Sequence, residues 1–422
     1  MTSALRRRLW TGVLSLGALL LLPIQAPAQI ANGQGKYLGN VIGSSVPSNF
    51  ATYWNQITPE NAGKWGSVES TRNSMNWSQL DTAYNFAQQN GFKFKGHTLV
   101  WGSQFPSWLS QLTPAQQRAE IEEWIRLYAQ RYPNTWAIDV VNEPIKTPYP
   151  FEAALGGDGA TGWDWVITAF QLARQYLPNT LLLINEYGTE NDPSARSQYL
   201  TIINLLRSRG LLDGIGVQAH YFNLDNMTAA QMTSALDAYA ATGLNIYISE
   251  LDITGGGSAE AGQSTKYQQL FPVMWNHASV KGITLWGYIV GQTWRENTGL
   301  VNSNGTERQA MTWLKGFVSG NPNPNPNPNP DPNPNPNPNP SVALVIKITN
   351  DWGAGYCATG DVTNNTSSAV AWTVTAPLTG TIYNRWNAVI TVSNGTLQAT
   401  GVDWNRTLQP GAATQFGFCA NR

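Results

Sequence analysis

Two glutamates at the ends of short apolar segments have the chemistry and the placement to act as a pair. Residues 136–144 read Trp-Ala-Ile-Asp-Val-Val-Asn-Glu-Pro, which predicts a buried strand that presents Glu143 at its C-terminal end and is stopped by proline. Residues 245–252 have the same design and carry Glu250. Either glutamate alone fits a helix cap or an ion-pair partner equally well. Two carboxyl groups on buried strand ends, however, are what glycoside hydrolysis requires, one to protonate the leaving oxygen and one to face the anomeric carbon.

The segments that must position these glutamates alternate between strand-like and helix-like patterns. The predicted strands are 36–42, 51–58, 92–101, 136–142, 180–186, 214–221, 245–251 and 282–289. Amphipathic helices are predicted at 78–89, 114–131, 164–176, 193–209, 229–241, 266–277 and 308–318. This alternation predicts an α/β fold, the (β/α)₈ TIM barrel, whose active-site residues stand at the C-terminal ends of the strands. Both glutamates fall there, on the fourth and seventh predicted strands.

The composition of the 422-residue chain limits the partners it can have. Charged residues make up only 12%, and the formal net charge is −1, so nothing favours nucleic acid or an anionic membrane as a partner. The chain instead holds 18 Trp and 16 Tyr, whose rings stack on the apolar faces of sugars, which favours a neutral polysaccharide. Zinc-ligand spacing, a phosphate-binding glycine loop and a dinucleotide fingerprint are all missing, so we expect no metal and no cofactor.

The first 28 residues have the pattern of a secretory signal peptide. A triple arginine at 6–8 precedes an apolar run from 9 to about 22, and Ala26-Pro-Ala28 supplies a small-residue cleavage pattern. The apolar run is too short for a transmembrane helix, and no other segment approaches that length. We therefore predict a soluble protein that is secreted to the extracellular space.

Beyond the predicted barrel domain, at 29–319, lie a linker and a second domain. Residues 320–340 are dominated by Asn-Pro repeats, and proline at alternate positions forbids helix and sheet, which predicts an extended spacer. Residues 341–422 alternate apolar and polar residues without a helical period, which predicts a small all-β sandwich. Cys357 and Cys419 lie in this segment, and in an exported protein such a pair favours a disulfide over a metal site.

A series of strand-end motifs, in their order along the chain, carries a resemblance to a known family. The motifs are Thr58-Pro-Glu60-Asn61-Ala-Gly-Lys64-Trp65, Gly96-His97-Thr-Leu-Val-Trp101, Val-Val-Asn142-Glu143-Pro, Gly216-Val-Gln218-Ala-His220 and Ser-Glu250-Leu-Asp252. Together they resemble glycoside hydrolase family 10, the endo-β-1,4-xylanases, over residues 32–318. Asn-Glu-Pro alone is shared with related barrel cellulases and mannanases. Gly102 departs from the family pattern, because many members have a histidine there.

The resemblance implies roles for the residues in these motifs. It makes Glu143 the general acid/base and Glu250 the nucleophile of a retaining double displacement, in which the charge on Glu250 keeps the proton on its neighbour. It also implies that Asn142 binds the 2-hydroxyl of the reacting sugar and that His220, backed by Asp252, holds Glu250. The residues that match the family's substrate-binding positions are Glu60, Asn61, Lys64, His97, Trp101, Gln218, Trp286 and Trp294. For the two last tryptophans a core position is the competing interpretation.

The C-terminal segment resembles a family 2 carbohydrate-binding module. Trp352, Trp386 and Trp404 stand among polar or turn residues, and the resemblance implies that they form a surface strip for polysaccharide. Trp372 alternates in register with apolar neighbours, which predicts a core position. A flat strip would suit cellulose, whereas Arg385 could tilt the ring of Trp386 and favour a xylan groove, so both partners stay open. The cysteine pair is placed unlike that of the commonest members.

The sequence therefore favours a monomeric, secreted endo-1,4-β-xylanase that acts on xylan and is anchored to plant cell wall polysaccharide by its module. Two alternatives remain. One is a barrel cellulase or a mixed xylanase–cellulase, and the other is a catalytically silent polysaccharide-binding scaffold. The presence of both carboxylates, of Asn142 and of the His220–Asp252 pair argues against the scaffold.

Overall fold

The computed structural model describes residues 29–257, 259–320, 342–393 and 395–422. These residues form two compact units, one ending at Gly320 and the other beginning at Val342. The predicted signal peptide at 1–28 lies outside the described residues, as does the predicted linker apart from Gly320. Across the described ranges, no helix combines the length and the apolar character needed to cross a membrane.

The first unit is a closed barrel of eight parallel strands arranged in chain order. The strands are β1 Tyr37–Ile42, β2 Gln56–Pro59, β3 Lys93–Trp101, β4 Ala137–Asn142, β5 Leu181–Glu186, β6 Gly214–Val217, β7 Asn245–Leu251 and β8 Val280–Leu285. The barrel closes where β8 pairs with β1, with Tyr37 opposite Gly282. The predicted TIM barrel is thus confirmed. Closure brings all eight C-terminal strand ends to one rim, which carries the candidate site.

The helices surround the barrel, and three of those in the described residues begin at a side-chain cap. They are α1 Phe50–Tyr53, α2 Trp65–Val68, α3 Ser78–Asn90, α4 Pro114–Arg131, α5 Asp164–Tyr176, α6 Pro193–Arg207, α7 Tyr221–Leu224, α8 Ala229–Ala240, α9 Glu260–Asn276 and α10 Gln309–Ser319, with 3₁₀ turns at Ser107–Gln111 and Glu152–Leu155. Helix α4 starts with a capping box between Thr113 and Gln116. Asp192 caps α6 ahead of a proline at the first helical position.

The second predicted strand, 51–58, is wrong over its first half. The chain forms α1 at 50–53 and enters β2 only at Gln56. Phe50, Tyr53, Trp54 and Ile57 are all buried. The spacing of Phe50, Tyr53 and Trp54 is that of a helix face, but in the sequence a run this short does not distinguish a helix from a strand.

The sixth and eighth predicted strands are too long at their C-terminal ends. β6 stops at Val217, and Ala219 adopts a positive φ of 62° that turns the chain out of the sheet. β8 spans Val280–Leu285, and Gly287 has φ 102°. In both places the residues beyond the strand belong to the rim loops, where the candidate site residues His220 and Trp286 stand.

The second unit is all-β, as predicted. A four-stranded sheet has the order β13-β17-β10-β9 and a three-stranded sheet the order β12-β15-β14, with a short pair of β11 and β16. The strands are β9 Val342–Asp351, β10 Gly355–Asn364, β11 Val370–Ala371, β12 Thr373–Pro377, β13 Thr381–Trp386, β14 Ala388–Ser393, β15 Thr396–Gly401, β16 Thr407–Leu408 and β17 Ala413–Asn421. Trp372 stacks on Phe416 in the buried centre of this unit, which confirms its predicted core position.

The two cysteines join neighbouring strands of the four-stranded sheet. Cys357 on β10 lies directly opposite Cys419 on β17, and the two form a disulfide. The predicted disulfide is confirmed. Because it closes a loop with a sequence separation of 62, it is expected to stabilise this small unit by about 4 kcal/mol through the restricted unfolded chain.

Candidate active site

One hydrogen-bonded network joins the two glutamates at the barrel rim. Asn185, at the end of β5, donates through Nδ2 to Glu250 Oε1 at 2.6 Å and to Asn142 Oδ1 at 2.8 Å. Gln218 donates through Nε2 to Glu143 Oε1 at 3.2 Å and to Asn142 Oδ1 at 3.3 Å. The ends of β4, β5 and β7 and the residue after β6 therefore hold both carboxyl groups in one place.

The second carboxylate oxygen of Glu250 contacts His220, which in turn contacts the carboxylate of Asp252. Nε2 of His220 lies 3.3 Å from Glu250 Oε2, and its Nδ1 lies 3.0 Å from Asp252 Oδ2. Asp252 is itself fixed, because it accepts from the backbone N–H of Tyr221 at 2.6 Å and from Nε1 of Trp294 at 2.6 Å. The expected placement of His220 between Asp252 and Glu250 is what the structure has.

Near neutral pH, Glu250 and His220 form a charged pair. Burial alone would raise the pKa of Glu250, but the hydrogen bond from His220 and the positive charges of His97, His220 and Lys95 outweigh it and lower that pKa to about 2. Burial conversely disfavours protonated His220, but Asp252 and Glu250 raise the pKa of His220 to about 10. A carboxylate that is only 4% exposed is thus kept ionised.

A second charged cluster fills the barrel interior below Glu250. Lys95 on β3, which has no exposed surface, donates to Asp139 Oδ2 at 2.5 Å. The same oxygen lies 2.9 Å from Nδ1 of His97. His97 and Lys95 are among the groups that lower the pKa of Glu250.

Glu143 is presented by an unusual backbone conformation. Its φ is +58°, a region that non-glycine residues rarely occupy and that functional sites tolerate at a cost of roughly 1–3 kcal/mol. Its N–H still donates to the backbone oxygen of Asn185 at 2.8 Å. Its Oε2 accepts from Nε1 of Trp101 at 3.0 Å and from Oγ1 of Thr147 at 2.5 Å. The carboxyl group is therefore held by donors from three different segments.

A third glutamate braces the turn that follows Glu143. Glu186, the last residue of β5, accepts from the backbone N–H groups of Ile145 at 2.8 Å and of Tyr187 at 2.9 Å. Burial raises the pKa of Glu186 to about 8, although these backbone donors oppose the shift. Glu186 therefore ties the β4 turn to β5.

Glu60, Asn61 and Lys64 gather on the loop after β2. Lys64 Nζ donates to Asn61 Oδ1 at 2.9 Å and to Gln104 Oε1 at 2.7 Å, and it lies 4.8 Å from the centre of the Trp101 ring. Burial lowers the pKa of Lys64, against the pull of nearby carboxylates, and burial raises the pKa of Glu60. A cluster of donors and acceptors next to Trp101 is suited to binding sugar hydroxyls.

The two rim tryptophans differ in exposure. Trp286 is buried and meets the rings of His97 and His220 edge-on, with centroids 5.2 and 6.3 Å away. Trp294 is 38% exposed, its ring centroid lies 4.9 Å from that of His220, and the guanidinium of Arg295 lies 4.6 Å from its centre. Both border the Glu250 site, Trp286 from inside and Trp294 from the surface.

The module tryptophans are on the surface of the second unit. Trp352, Trp386 and Trp404 are 45%, 37% and 70% exposed. Trp386 lies against Gly417 of the adjacent strand β17, where any side chain would collide with the indole, and Trp352 lies in the same way against Gly355 at the start of β10. The loop of Trp404 reaches the end of β13 through a 2.9 Å bond from Asn405 to the backbone oxygen of Asn387.

Several residues of the site lie outside the motifs named from sequence. These are Asn185, Lys95, Asp139, Glu186 and Thr147. One signal was available, since Asn185-Glu186 repeats at the end of β5 the Asn-Glu order that ends β4. Among the residues that the structure describes, no group of three or more His, Cys, Asp and Glu side chains could hold a metal ion.

Two family models match the chain, one for each unit. The model described as Glycosyl hydrolase family 10 matches residues 28–316. The model described as Cellulose binding domain matches residues 342–422. These are the two segments in which the sequence resembles such families.

Individual relatives match the first unit. Endo-1,4-beta-xylanase B of Cellvibrio japonicus (strain Ueda107) is 49% identical over 282 residues, which cover 66% of this chain but only 45% of that protein. A solved psychrophilic glycoside hydrolase family 10 endo-beta-1,4-xylanase is 27% identical, with a TM-score of 0.59 over 67% of this chain and 97% of the other. Xylanase 10B from Thermotoga petrophila RKU-1, in complex with xylobiose, is 23% identical with a TM-score of 0.63 over 70% and 97%, and shares the fold.

The buried Glu190, on the loop after β5, makes the stability of the barrel depend on pH. Burial raises the pKa of Glu190 from 4.5 to about 7, against the opposing effects of nearby backbone N–H groups, His220 and Arg196. The folded chain therefore keeps this proton over a pH range in which the unfolded chain has released it. Its contribution to stability is complete below pH 4.5 and is lost as the pH rises to about 7.

We expect the substitution Glu190→Gln to remove this dependence. Relative to the wild type, the free energy of unfolding of the variant should rise by on the order of 3 kcal/mol between pH 4.5 and 7 and stay level above that range. Urea unfolding at a series of pH values measures the difference. Glu190→Asp, which still titrates, should follow the wild type. A difference between Gln variant and wild type that is constant with pH would show that Glu190 ionises normally.

Proposed function

The chain belongs to glycosyl hydrolase family 10, and on that premise we propose that it is a secreted endo-1,4-β-xylanase that cleaves internal linkages of xylan with retention at the anomeric carbon. The observation that carries the proposal is the single network that joins Glu143 and Glu250 at the ends of β4 and β7. The 49% identity to a Cellvibrio japonicus xylanase supports xylan as the substrate class. The signal pattern in residues 1–28 supports secretion.

Glu250 is the proposed nucleophile. It is ionised in the free site and can attack the anomeric carbon, which forms the covalent glycosyl-enzyme and consumes its negative charge. His220 and Asn185 each bond one of its oxygens, so they fix the direction of attack. Asp252 keeps Nδ1 of His220 engaged and thereby orients the ring.

Glu143 is the proposed general acid and base. In the first step its proton passes to the glycosidic oxygen while that oxygen leaves the anomeric carbon. In the second step the carboxylate takes a proton from water, and the oxygen of that water replaces Glu250 on the sugar. Asn142, held by Asn185 and Gln218, is the proposed partner of the 2-hydroxyl, a contact that strengthens in the transition state.

The remaining predicted residues form the proposed binding site for the sugar on the non-reducing side of the cut. Glu60, Asn61 and Lys64 supply hydrogen bonds to hydroxyl groups. Trp286 and Trp294 supply aromatic faces next to Glu250. Gln218 and Trp101 hydrogen-bond the carboxyl group of Glu143, and His97 helps to lower the pKa of Glu250.

The second unit is the proposed anchor, with cellulose as its partner. Its match to a cellulose-binding family supports this, as do the indoles of Trp352 and Trp386, which lie against neighbouring strands of one sheet. Arg385 donates to the backbone oxygen of Ile390 at 3.1 Å. A row of indoles suits the flat surface of crystalline cellulose, and the enzyme would then cut xylan next to its anchoring point.

Substrate class is the first point to test. Reducing-sugar release and product sizing should show fast conversion of xylan to short oligosaccharides, and release from carboxymethylcellulose or mannan should be at least 100-fold slower in kcat/KM, roughly 3 kcal/mol of discrimination. Equal rates on xylan and carboxymethylcellulose would establish a mixed activity instead. Release of single sugars only, without internal cuts, would contradict an endo-acting enzyme.

The two glutamates are expected to fail differently when truncated. Glu250→Ala should abolish turnover of every substrate, because no covalent intermediate can form. Glu143→Ala should still be glycosylated by aryl xylosides with good leaving groups, which need no proton, and azide should accelerate release of the stalled sugar by attacking in place of water. Steady-state rates with and without azide measure both effects. Equal losses on both substrate classes without an azide effect would contradict the assignment of roles.

The module tryptophans are expected to control adsorption to cellulose. Each single change of Trp352, Trp386 or Trp404 to Ala should weaken binding about 10-fold, since one indole–sugar stack contributes roughly 1–2 kcal/mol, and the triple change should abolish it. Trp372→Ala is the matched control. Because it removes a core side chain, it should reduce the free energy of unfolding of the unit by roughly 3–5 kcal/mol and lower its melting temperature. Depletion from solution onto crystalline cellulose and insoluble xylan measures adsorption, and binding to xylan alone would contradict a cellulose anchor.

A further inference from the structure

Gly102, directly after β3, leaves room for the loop that follows Glu143. A Cβ atom at this position would lie 2.1 Å from the backbone oxygen of Pro148 and 3.1 Å from Cγ2 of Thr147. A separation of 2.1 Å is far shorter than a non-bonded contact between a carbon and an oxygen atom. Residues 147 and 148 therefore occupy the space that a side chain at position 102 would need.

This close approach brings a hydroxyl group onto the carboxyl group of Glu143. The backbone N–H of Thr147 donates to the backbone oxygen of Glu143 at 3.1 Å, which closes the turn between them. The side chain of Thr147 then reaches Glu143 Oε2 with its Oγ1 at 2.5 Å. Glu186 fixes the same turn from the opposite side through the N–H of Ile145. The turn that carries the Thr147 hydroxyl is therefore held in place by hydrogen bonds.

The hydroxyl differs in kind from the other two partners of Glu143. Nε1 of Trp101 and Nε2 of Gln218 can only donate, so they bond the carboxylate oxygens but offer nothing to a proton on the carboxyl group. A threonine hydroxyl both donates and accepts and can turn to suit its partner. Of the three atoms that contact this carboxyl group in the described structure, only Oγ1 of Thr147 can accept from its proton as well as donate to its oxygens.

We propose that Thr147 is a positioning residue for the acid/base, a reversible hydrogen-bond partner that keeps the Glu143 carboxyl group in one orientation through both half-reactions. The inference rests on the proposed retaining mechanism, in which Glu143 loses its proton to the leaving oxygen and regains one from water. In the free enzyme the hydroxyl accepts from the protonated carboxyl group. In the complex that proton turns to the glycosidic oxygen, and once it has been transferred the hydroxyl donates to the carboxylate. Gly102 enables this contact by leaving room for the turn.

The test compares Thr147→Val, which removes the hydroxyl but keeps the shape, with Thr147→Ser, which keeps the hydroxyl. The substrates are phenyl and 2,4-dinitrophenyl β-xylobiosides, which need and do not need protonation of the leaving group. For Thr147→Val we expect kcat/KM on the phenyl substrate to fall about 10-fold, as for loss of one hydrogen bond to a charged group, with little change on the dinitrophenyl substrate. Thr147→Ser should restore the phenyl rate to within about 2-fold of wild type.

Gly102→Ala is a second variant. It keeps threonine at position 147, but its added methyl group should displace the turn that carries this threonine away from Glu143. It should reproduce the substrate-dependent loss of Thr147→Val. Thermal unfolding of each variant is measured alongside. Equal losses on both substrates would assign Thr147 a merely structural role and overturn the proposal, as would a Thr147→Val variant with wild-type rates on both. Both substrates in this comparison are aryl xylobiosides, so the test of Thr147 is independent of the test on xylan. A wild type that is active on aryl xylobiosides but not on xylan would refute xylan as the substrate and leave the proposal for Thr147 unaffected.

Discussion

The structure depends on keeping one buried carboxylate ionised. Glu250 is removed from water, and burial alone would return a proton to it. The barrel counters this with His220 at its side and with Lys95 and His97 below, while Asn185 donates a neutral hydrogen bond. These groups come from three different strands or their ends, so Glu250 stays ionised in its buried position only because the barrel is closed.

Three other glutamates at the same rim show how partners, rather than burial, decide the state of a carboxyl group. Glu186 and Glu190 are as buried as Glu250. Glu186 accepts from backbone N–H groups, and burial raises the pKa of Glu186 to about 8 and that of Glu190 to about 7. Glu143 is more exposed and is surrounded by side-chain donors. One rim therefore holds a carboxylate that is ionised in the free site, two buried carboxyl groups that are largely neutral in mildly acidic solution, and a group open to substrate.

The second unit has to keep aromatic side chains exposed, whereas the barrel has to keep a charge buried. Three of its indoles stay exposed on the surface, although indoles are driven to bury themselves. The sheet permits this for Trp352 and Trp386 because Gly355 and Gly417 have no side chain, so each ring lies against these glycines. Trp372, by contrast, is buried in the centre against Phe416. The disulfide between β10 and β17 ties the strands that carry these glycines.

The sequence by itself determined the barrel, because eight apolar strands alternate with amphipathic helices, and it determined which strand ends carry Glu143 and Glu250, since strand periodicity and a following proline are local signals. It also separated Trp372 from the three exposed tryptophans. Only the tertiary structure decided the contacts that cross between strands: Asn185 to Glu250, Lys95 to Asp139, and Thr147 to Glu143 over Gly102. Those pairs are 65, 44 and 4 residues apart, and even the last depends on space left by position 102. Local pattern reports which face of an element a residue lies on, whereas barrel closure and loop packing decide which residues meet there.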